Sequence, residues 1–282
     1  MSDRGKVLAS TACAVIATCG ITLAIARKTA RGRMFAIKDD DSVSTKIQNE
    51  DVSDDARARP IALVLTSHPD DESYFFAPTI QFLRRSGRSV HLVCLSDGAA
   101  GGDGEERKRE LLKAKEALEI EALCVVETED LRDGMDRDWP RETVMAVLDA
   151  YEEGAPGAIE SVVTFDGRGV SGHINHVATH EGAKMWIERK KDVLAANGGD
   201  GSVPRVWVLE TTNIARKYSG ALDAATSYLT TLVDSRRAFI PCLSLAESFR
   251  AVRAHKSQFV WYRKLFFAFS RYTYLNTLRR ID

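Results

Sequence analysis

The chain has 282 residues, with 39 Lys and Arg against 40 Asp and Glu, for a formal net charge of −1. A chain of this length buries one core of roughly 200–250 residues plus appendages. The balanced charge gives no bulk electrostatic reason to bind nucleic acid, and no such partner is expected.

Charge is unevenly placed, however. Residues 7–26 contain no charged side chain, and a helix of that length spans roughly 30 Å, about one bilayer core. Arg4 and Lys6 precede the run, and Arg27, Lys28, Arg31, Arg33 and Lys38 follow it. Ala24-Ile25-Ala26 supports a competing reading as a cleaved secretory signal. The length of the run and the basic cluster behind it favour a stop-transfer anchor. The heavier positive side is C-terminal, which places the main domain in the cytosol. The expected organisation is a short tail (residues 1–6), a transmembrane anchor (7–26), a flexible linker (27–60) and one folded domain (61–282). In the linker basic residues give way to acidic ones, Asp39, Asp40, Asp41, Asp54 and Asp55 among them. Cys94, Cys124 and Cys242 lie scattered beyond the anchor, form no disulfide framework and suggest a reducing compartment.

In chain order, Ile61–Thr66 is a continuous apolar run expected to be a buried strand. A helix is expected over 78–86, ended by Gly87, then a strand over 90–95, a helix over 105–118 and a short strand over 122–126. A helix over 141–151, a strand over 161–165, a helix over 177–196 and a strand over 206–209 follow. Residues 211–234 are ambiguous, and 243–255 and 260–278 both read as helical. Short apolar strands alternating with helices predict an α/β, Rossmann-like domain: a mostly parallel sheet with helices on both faces.

The unusual residues fall behind the strands. His68-Pro69-Asp70-Asp71-Glu72 follows the first, on a turn that Pro69 stiffens. Four ionisable side chains in that space need a cation or an ordered polar network; otherwise they form a solvated acidic turn. A glycine-rich run from Asp97 to Gly104 follows the second strand, and Asp166 to His176 follows the fourth. Open α/β sheets bind ligands outside the carboxyl ends of their strands, where all three loops would converge. His173 and His176, three apart at a helix start, can face one side. Nitrogen donors plus a carboxylate suit zinc, with iron(II) and other divalent ions open. His180, one turn on, is a reserve ligand, and Asn175 either supports a ligand or simply starts the helix. A purely structural role for the paired histidines remains a competing reading. His91, inside a strand, reads as a packed residue.

The turn His68-Pro69-Asp70-Asp71-Glu72 together with Gly169-Val170-Ser171-Gly172-His173-Ile174-Asn175-His176 resembles the PIG-L/LmbE-like de-N-acetylase family. The segments from His255 to Leu265 and from Ser270 to Tyr274 resemble its eukaryotic branch. The resemblance covers roughly residues 61–278. It implies a zinc enzyme that removes acetyl from N-acetylglucosamine conjugates. For the eukaryotic branch the substrate is N-acetylglucosaminyl-phosphatidylinositol, in the second step of glycosylphosphatidylinositol-anchor synthesis at the endoplasmic reticulum membrane. Carried over by position, it implies that His68, Asp71 and His176 hold the metal and that Asp70 is the general base. His173, in cationic form, assists the oxyanion or protonates the leaving amine. Arg107 matches a family arginine that could grip a phosphate or sugar oxygen, although an exposed charged helix face is the alternative. Asp133 and His255 are further substrate-binding candidates, and Glu72 is given a supporting hydrogen bond.

Trp261, Leu265, Phe266, Phe269 and Tyr272 form an aromatic stripe interspersed with Arg263, Lys264, Arg271, Arg279 and Arg280. Such a helix suits anionic lipid headgroups, or else docks on the core with its charges in water. The resulting expectation is a metal-dependent deacetylase of the membrane glycolipid. Its rivals are a deacetylase of a soluble N-acetylglucosamine conjugate and a non-catalytic glycolipid-binding module.

Overall fold

The structure, a computed structural model, describes residues 59–199 and 201–282. The expected anchor over 7–26 and the linker as far as residue 58 lie outside the described residues. Among the described residues no helix is long and apolar enough to cross a membrane.

The first strand, β1 (Ile61–Thr66), is buried along its whole length. Ile61, Leu63 and Leu65 enter one core, while Ala62 and Val64 enter a second core on the opposite face. A continuous apolar run is what a two-sided central strand requires, because alternate side chains face alternate layers. After the one-turn helix α1 (Asp71–Tyr74), α2 (Ala77–Arg85) leads to β2 (Ser89–Cys94), and α3 (Gly104–Ala117) leads to β3 (Ala122–Val125). From the far edge, α4 (Arg141–Gly154) returns the chain to β4 (Ile159–Phe165) on the other side of β1. The short α5 (Gly169–Gly172) and the long α6 (Ile174–Ala196) then lead to β5 (Arg205–Leu209).

Strands β3, β2, β1, β4 and β5 lie side by side and all pair in parallel. Ile80, Leu83 and Leu111 from α2 and α3 fill one core. Val144 and Leu148 from α4, with Ala183 and Trp186 from α6, fill the other. Helices therefore cover both faces, as expected. Strand order reverses between β1 and β4, and that switch point opens a crevice at the carboxyl ends of the strands.

The C-terminal third departs from expectation. Residues 211–234 form α7 (Ile214–Lys217), a 3-10 turn over Gly220–Asp223 and α8 (Ala224–Leu232). An unanticipated strand, β6 (Arg237–Pro241), takes the sheet edge, where a proline costs no needed ladder bond. After α9 (Leu245–Ala254), the single helix expected over 260–278 is three elements: α10 (Trp261–Phe269), α11 (Arg271–Tyr274) and β7 (Leu275–Arg280). Ser270 adopts an extended conformation that ends α10, and its side chain caps α11. β7 inserts antiparallel between β5 and β6. This non-local pairing, invisible to helical periodicity, overrides the local pattern.

Candidate active site

Asp71, the first residue of α1, folds its carboxylate back onto the turn. Its Oδ2 accepts hydrogen bonds from the backbone N–H groups of His68 at 2.8 Å and Ser67 at 3.1 Å. That fixes the carboxylate at the carboxyl end of β1, 3.5 Å from His68 Nδ1 and 3.3 Å from His176 Nε2. His68, Asp71 and His176 are all buried, with donor atoms within 4.8 Å of one another; His68, Asp133 and His173 form a second such group.

Each ring is held from behind. His68 Nε2 lies 3.1 Å from Asp133 Oδ1 and 3.1 Å from Asn175 Oδ1. Asn175 is in turn fixed through its Nδ2, which donates to Arg137 O at 2.7 Å. This resolves the two readings of Asn175: it braces a candidate ligand ring, as outer partners of metal-binding histidines do. His176 Nδ1 pairs with Gly169 O at 3.1 Å, and the ring stacks on Phe165 with centroids 3.9 Å apart. Gly169 has φ +55°, and a Cβ there would meet His176 Cβ at 3.0 Å, so both the turn and the close approach require glycine.

The donor set fits a divalent cation. His176 Nε2 is buried with no hydrogen-bond partner. Burial opposes protonation of His68, yet hydrogen bonds to Asp133 and Asp71 outweigh it and raise the pKa to about 10. Burial likewise opposes ionisation of Asp71, but His176 and then His68 hold it well below the usual carboxylate range. Two imidazoles with one ionised carboxylate are a zinc-type ligand set. His180 belongs to neither group of candidate ligands; its Nδ1 pairs with Phe165 O at 3.0 Å.

Asp70 is beside this cluster but outside both groups. It is held at φ 114°, a conformation that costs a non-glycine residue about 1–3 kcal/mol and that clusters at functional sites. Its backbone N–H donates to Glu72 Oε2 at 3.0 Å, and Glu72 Oε1 lies 2.7 Å from His255 Nε2. Burial raises the Asp70 pKa, against the opposing charges of Arg263 and Arg107. Its Oδ2 is 3.0 Å from Arg263 Nη1 and 3.5 Å from Arg107 Nη2, with no aligned hydrogen bond.

His173 caps the N-terminus of α6, and its Nδ1 accepts from Asn175 N at 3.3 Å. The neutral ring therefore carries its proton on Nε2. Burial first, then repulsion from His68 and His176, lower its pKa to about 4. That direction runs against the expected cationic His173.

Arg107 is not on an exposed helix face. It is buried, its guanidinium donates to Gly98 O and Pro69 O, and it stands 3.6 Å from Asp133 Oδ2. It thus ties the loops behind β1, β2 and β3 together while lining the cavity. His255 is fully buried against Glu72 and does not line the cavity. Sequence reasoning missed Arg263 as a partner of Asp70. On the sequence it is one basic residue among many, and only the packing of α10 over the turn brings the two together.

The cavity holding these groups has a volume of about 640 Å³, within the range of small-molecule sites. His68, Asp70, Asp71, His173 and His176 line it, and so do Lys217, Tyr218, Tyr262, Leu265, Phe266 and Phe269.

The family profile described as GlcNAc-PI de-N-acetylase (PIG-L) matches residues 63–187. The chain is 37% identical over 221 residues to the N-acetylglucosaminyl-phosphatidylinositol de-N-acetylase of Bos taurus, covering 77% of this chain and 81% of the relative. It is 34% identical over 233 residues to the probable enzyme of that name from Schizosaccharomyces pombe, covering 77% and 86%. Among solved structures, the N,N'-diacetylchitobiose deacetylase of Pyrococcus horikoshii shares the fold at a TM-score of 0.56 and 17% identity, over 82% of this chain and 87% of that one. The zinc-inhibited form of teicoplanin deacetylase Orf2 shares it at 0.54 and 14%, over 78% and 97%. With the two motifs seated on one crevice and relatives matched along most of their length, the chain belongs to the PIG-L family of GlcNAc-PI de-N-acetylases.

Proposed function

We propose that the chain hydrolyses the acetamide of N-acetylglucosaminyl-phosphatidylinositol, giving glucosaminyl-phosphatidylinositol and acetate. The observation that carries this reading is one cavity joining a His-Asp-His cluster and a separate buried carboxylate, Asp70, to a wall of aromatic and basic residues. A non-catalytic glycolipid binder has no use for Asp70 in a strained backbone beside such a cluster.

His68, Asp71 and His176 would hold a divalent ion, zinc first among the candidates. Bound there, it supplies Lewis acidity towards the amide carbonyl and makes water a stronger acid. Asp70 takes the proton of the attacking water; its raised pKa suits a base that must later release that proton. The neutral His173 donates its Nε2–H to the carbonyl oxygen as negative charge develops. Protonated Asp70 then returns the proton to the leaving amine. Arg107 and Asp133 face the sugar and phosphate of the headgroup. His255 acts at one remove: through Glu72 it fixes the Asp70 backbone. We further assign residues 7–26 as the anchor that holds the chain in the endoplasmic reticulum membrane with its folded domain in the cytosol.

The test is acetate release from N-acetylglucosaminyl-phosphatidylinositol by purified, metal-loaded full-length chain, with a chelated sample as control. Release only from a soluble N-acetylglucosamine conjugate overturns the substrate. Release from neither overturns the hydrolase reading.

A further inference from the structure

The outer end of the cavity carries an unpartnered apolar surface. Trp261, Leu265 and Phe269 of α10 are 72%, 50% and 57% exposed, and Ile214 and Leu222 from the neighbouring segments are exposed as well. These form one rim: Tyr218 packs edge-on against Phe266, and a Cβ added at Gly220 would lie 3.5 Å from Phe269 O. Phe269 and Leu265 also line the cavity, so the rim and the cavity wall are continuous. A soluble surface rarely leaves large aromatic side chains clustered in this way without a partner.

Charge identifies the partner. In a chain with net charge −1, no Asp or Glu occurs between Glu247 and Asp282. Arg250, Arg253, Lys256 and Lys264 are all exposed in that segment, and Lys217 stands over the Phe266 ring on the α7 side of the rim. Aromatic side chains flanked by basic ones, on a segment that carries no acid, complement an anionic bilayer surface, whose headgroups take the basic residues while its acyl region takes the rings.

We infer that the rim formed by α10 and the Ile214–Leu222 segment inserts into an anionic membrane surface, so that a glycolipid headgroup enters the cavity while its acyl chains stay in the bilayer. The substrate half of this inference rests on the proposed function; the docking half does not. Among the four tryptophans, Trp139, Trp186 and Trp207 are 0%, 0% and 6% exposed, so Trp261 is the selective reporter.

The experiment reconstitutes the full chain in vesicles containing phosphatidylserine and acyl-chain-brominated phosphatidylcholine, and reads tryptophan quenching. Trp261 emission is expected to be quenched, while the residual emission of Trp261→Phe is not. Lys264→Glu should weaken quenching on anionic vesicles relative to the unsubstituted chain in the same vesicles. Trp261→Ser should lower kcat/KM on vesicle-embedded substrate and leave hydrolysis of a water-soluble headgroup analogue unchanged. Unquenched Trp261 in vesicles overturns the proposal, whether or not the chain is found paired with a second copy. Quenching without any turnover would retain the docking surface and sink only the assigned activity.

Discussion

Two of the clusters of ionisable side chains buried among the described residues differ in whether their bonding capacity is used up. Around Asp223 it is: Arg271 Nε and Arg216 Nε each donate to that carboxylate at 2.7 Å. Arg271 also donates to Ser227 Oγ at 2.7 Å and to Thr277 Oγ1, and Ser227 Oγ itself donates to Asp223. Around Asp71 it is not: His176 Nε2 has no hydrogen-bond partner, and neither has Asp70 Oδ2. Burial of charge is common to both, so burial alone does not identify a chemical site. The first cluster is a closed network that pins α11 against the 3-10 turn and β7. The second keeps lone pairs unspent and strain in the backbone at Asp70 and Val170, which is capacity for a ligand.

The comparison breaks most sharply at His176. His176→Ala is expected to lose bound metal and turnover together, with the secondary structure intact; metal content by elemental analysis alongside circular dichroism reads both. Unchanged metal content would move the ligand set to the group that includes Asp133 and His173. Asp70→Asn should keep the metal and lower kcat roughly 10²–10⁴-fold; full activity would remove Asp70 as base. Arg271→Leu acts on the other cluster. It should destabilise the fold by about 3–5 kcal/mol in urea unfolding, because Asp223 loses a buried partner, while metal content per folded molecule stays the same.

The smallest expected effect is on pH dependence and concerns His255. Burial lowers its pKa, but the charge and hydrogen bond of Glu72 outweigh this and the net shift is upward. A folded pKa above the unfolded value gives stability that is complete below about 6.5 and is lost as pH rises through the folded value. Glu72→Gln should therefore cost about 1–3 kcal/mol at pH 6 and progressively less in alkaline solution. A gap that widens with pH would show that the pair is not protonated in the native state.

The sequence was legible wherever a function is carried by contiguous residues. The apolar run of β1 and the turn behind it lie within a dozen positions, so strand, turn and ligand types could be read together. The same holds for Gly169 to His176 at the start of α6. Arg263 was not legible, since nothing local marks it among neighbouring basic residues, and it meets Asp70 only through the docking of α10. Arg271 and Tyr272 looked like the continuation of an exposed aromatic-basic helix, yet both are fully buried. Their burial depends on Asp223, nearly fifty positions away, and on the pairing of β7 with β5 and β6.

By itself, then, the sequence determined the two-sided parallel core and the identity of the ligand-bearing turns, because hydrophobic period and backbone chemistry act over a few residues. Only the tertiary structure decided which buried charges are neutralised and which stay available. Pairing energies between side chains depend on distances set by packing across the whole chain. That is why Arg107 is internal and Arg263 stands beside Asp70.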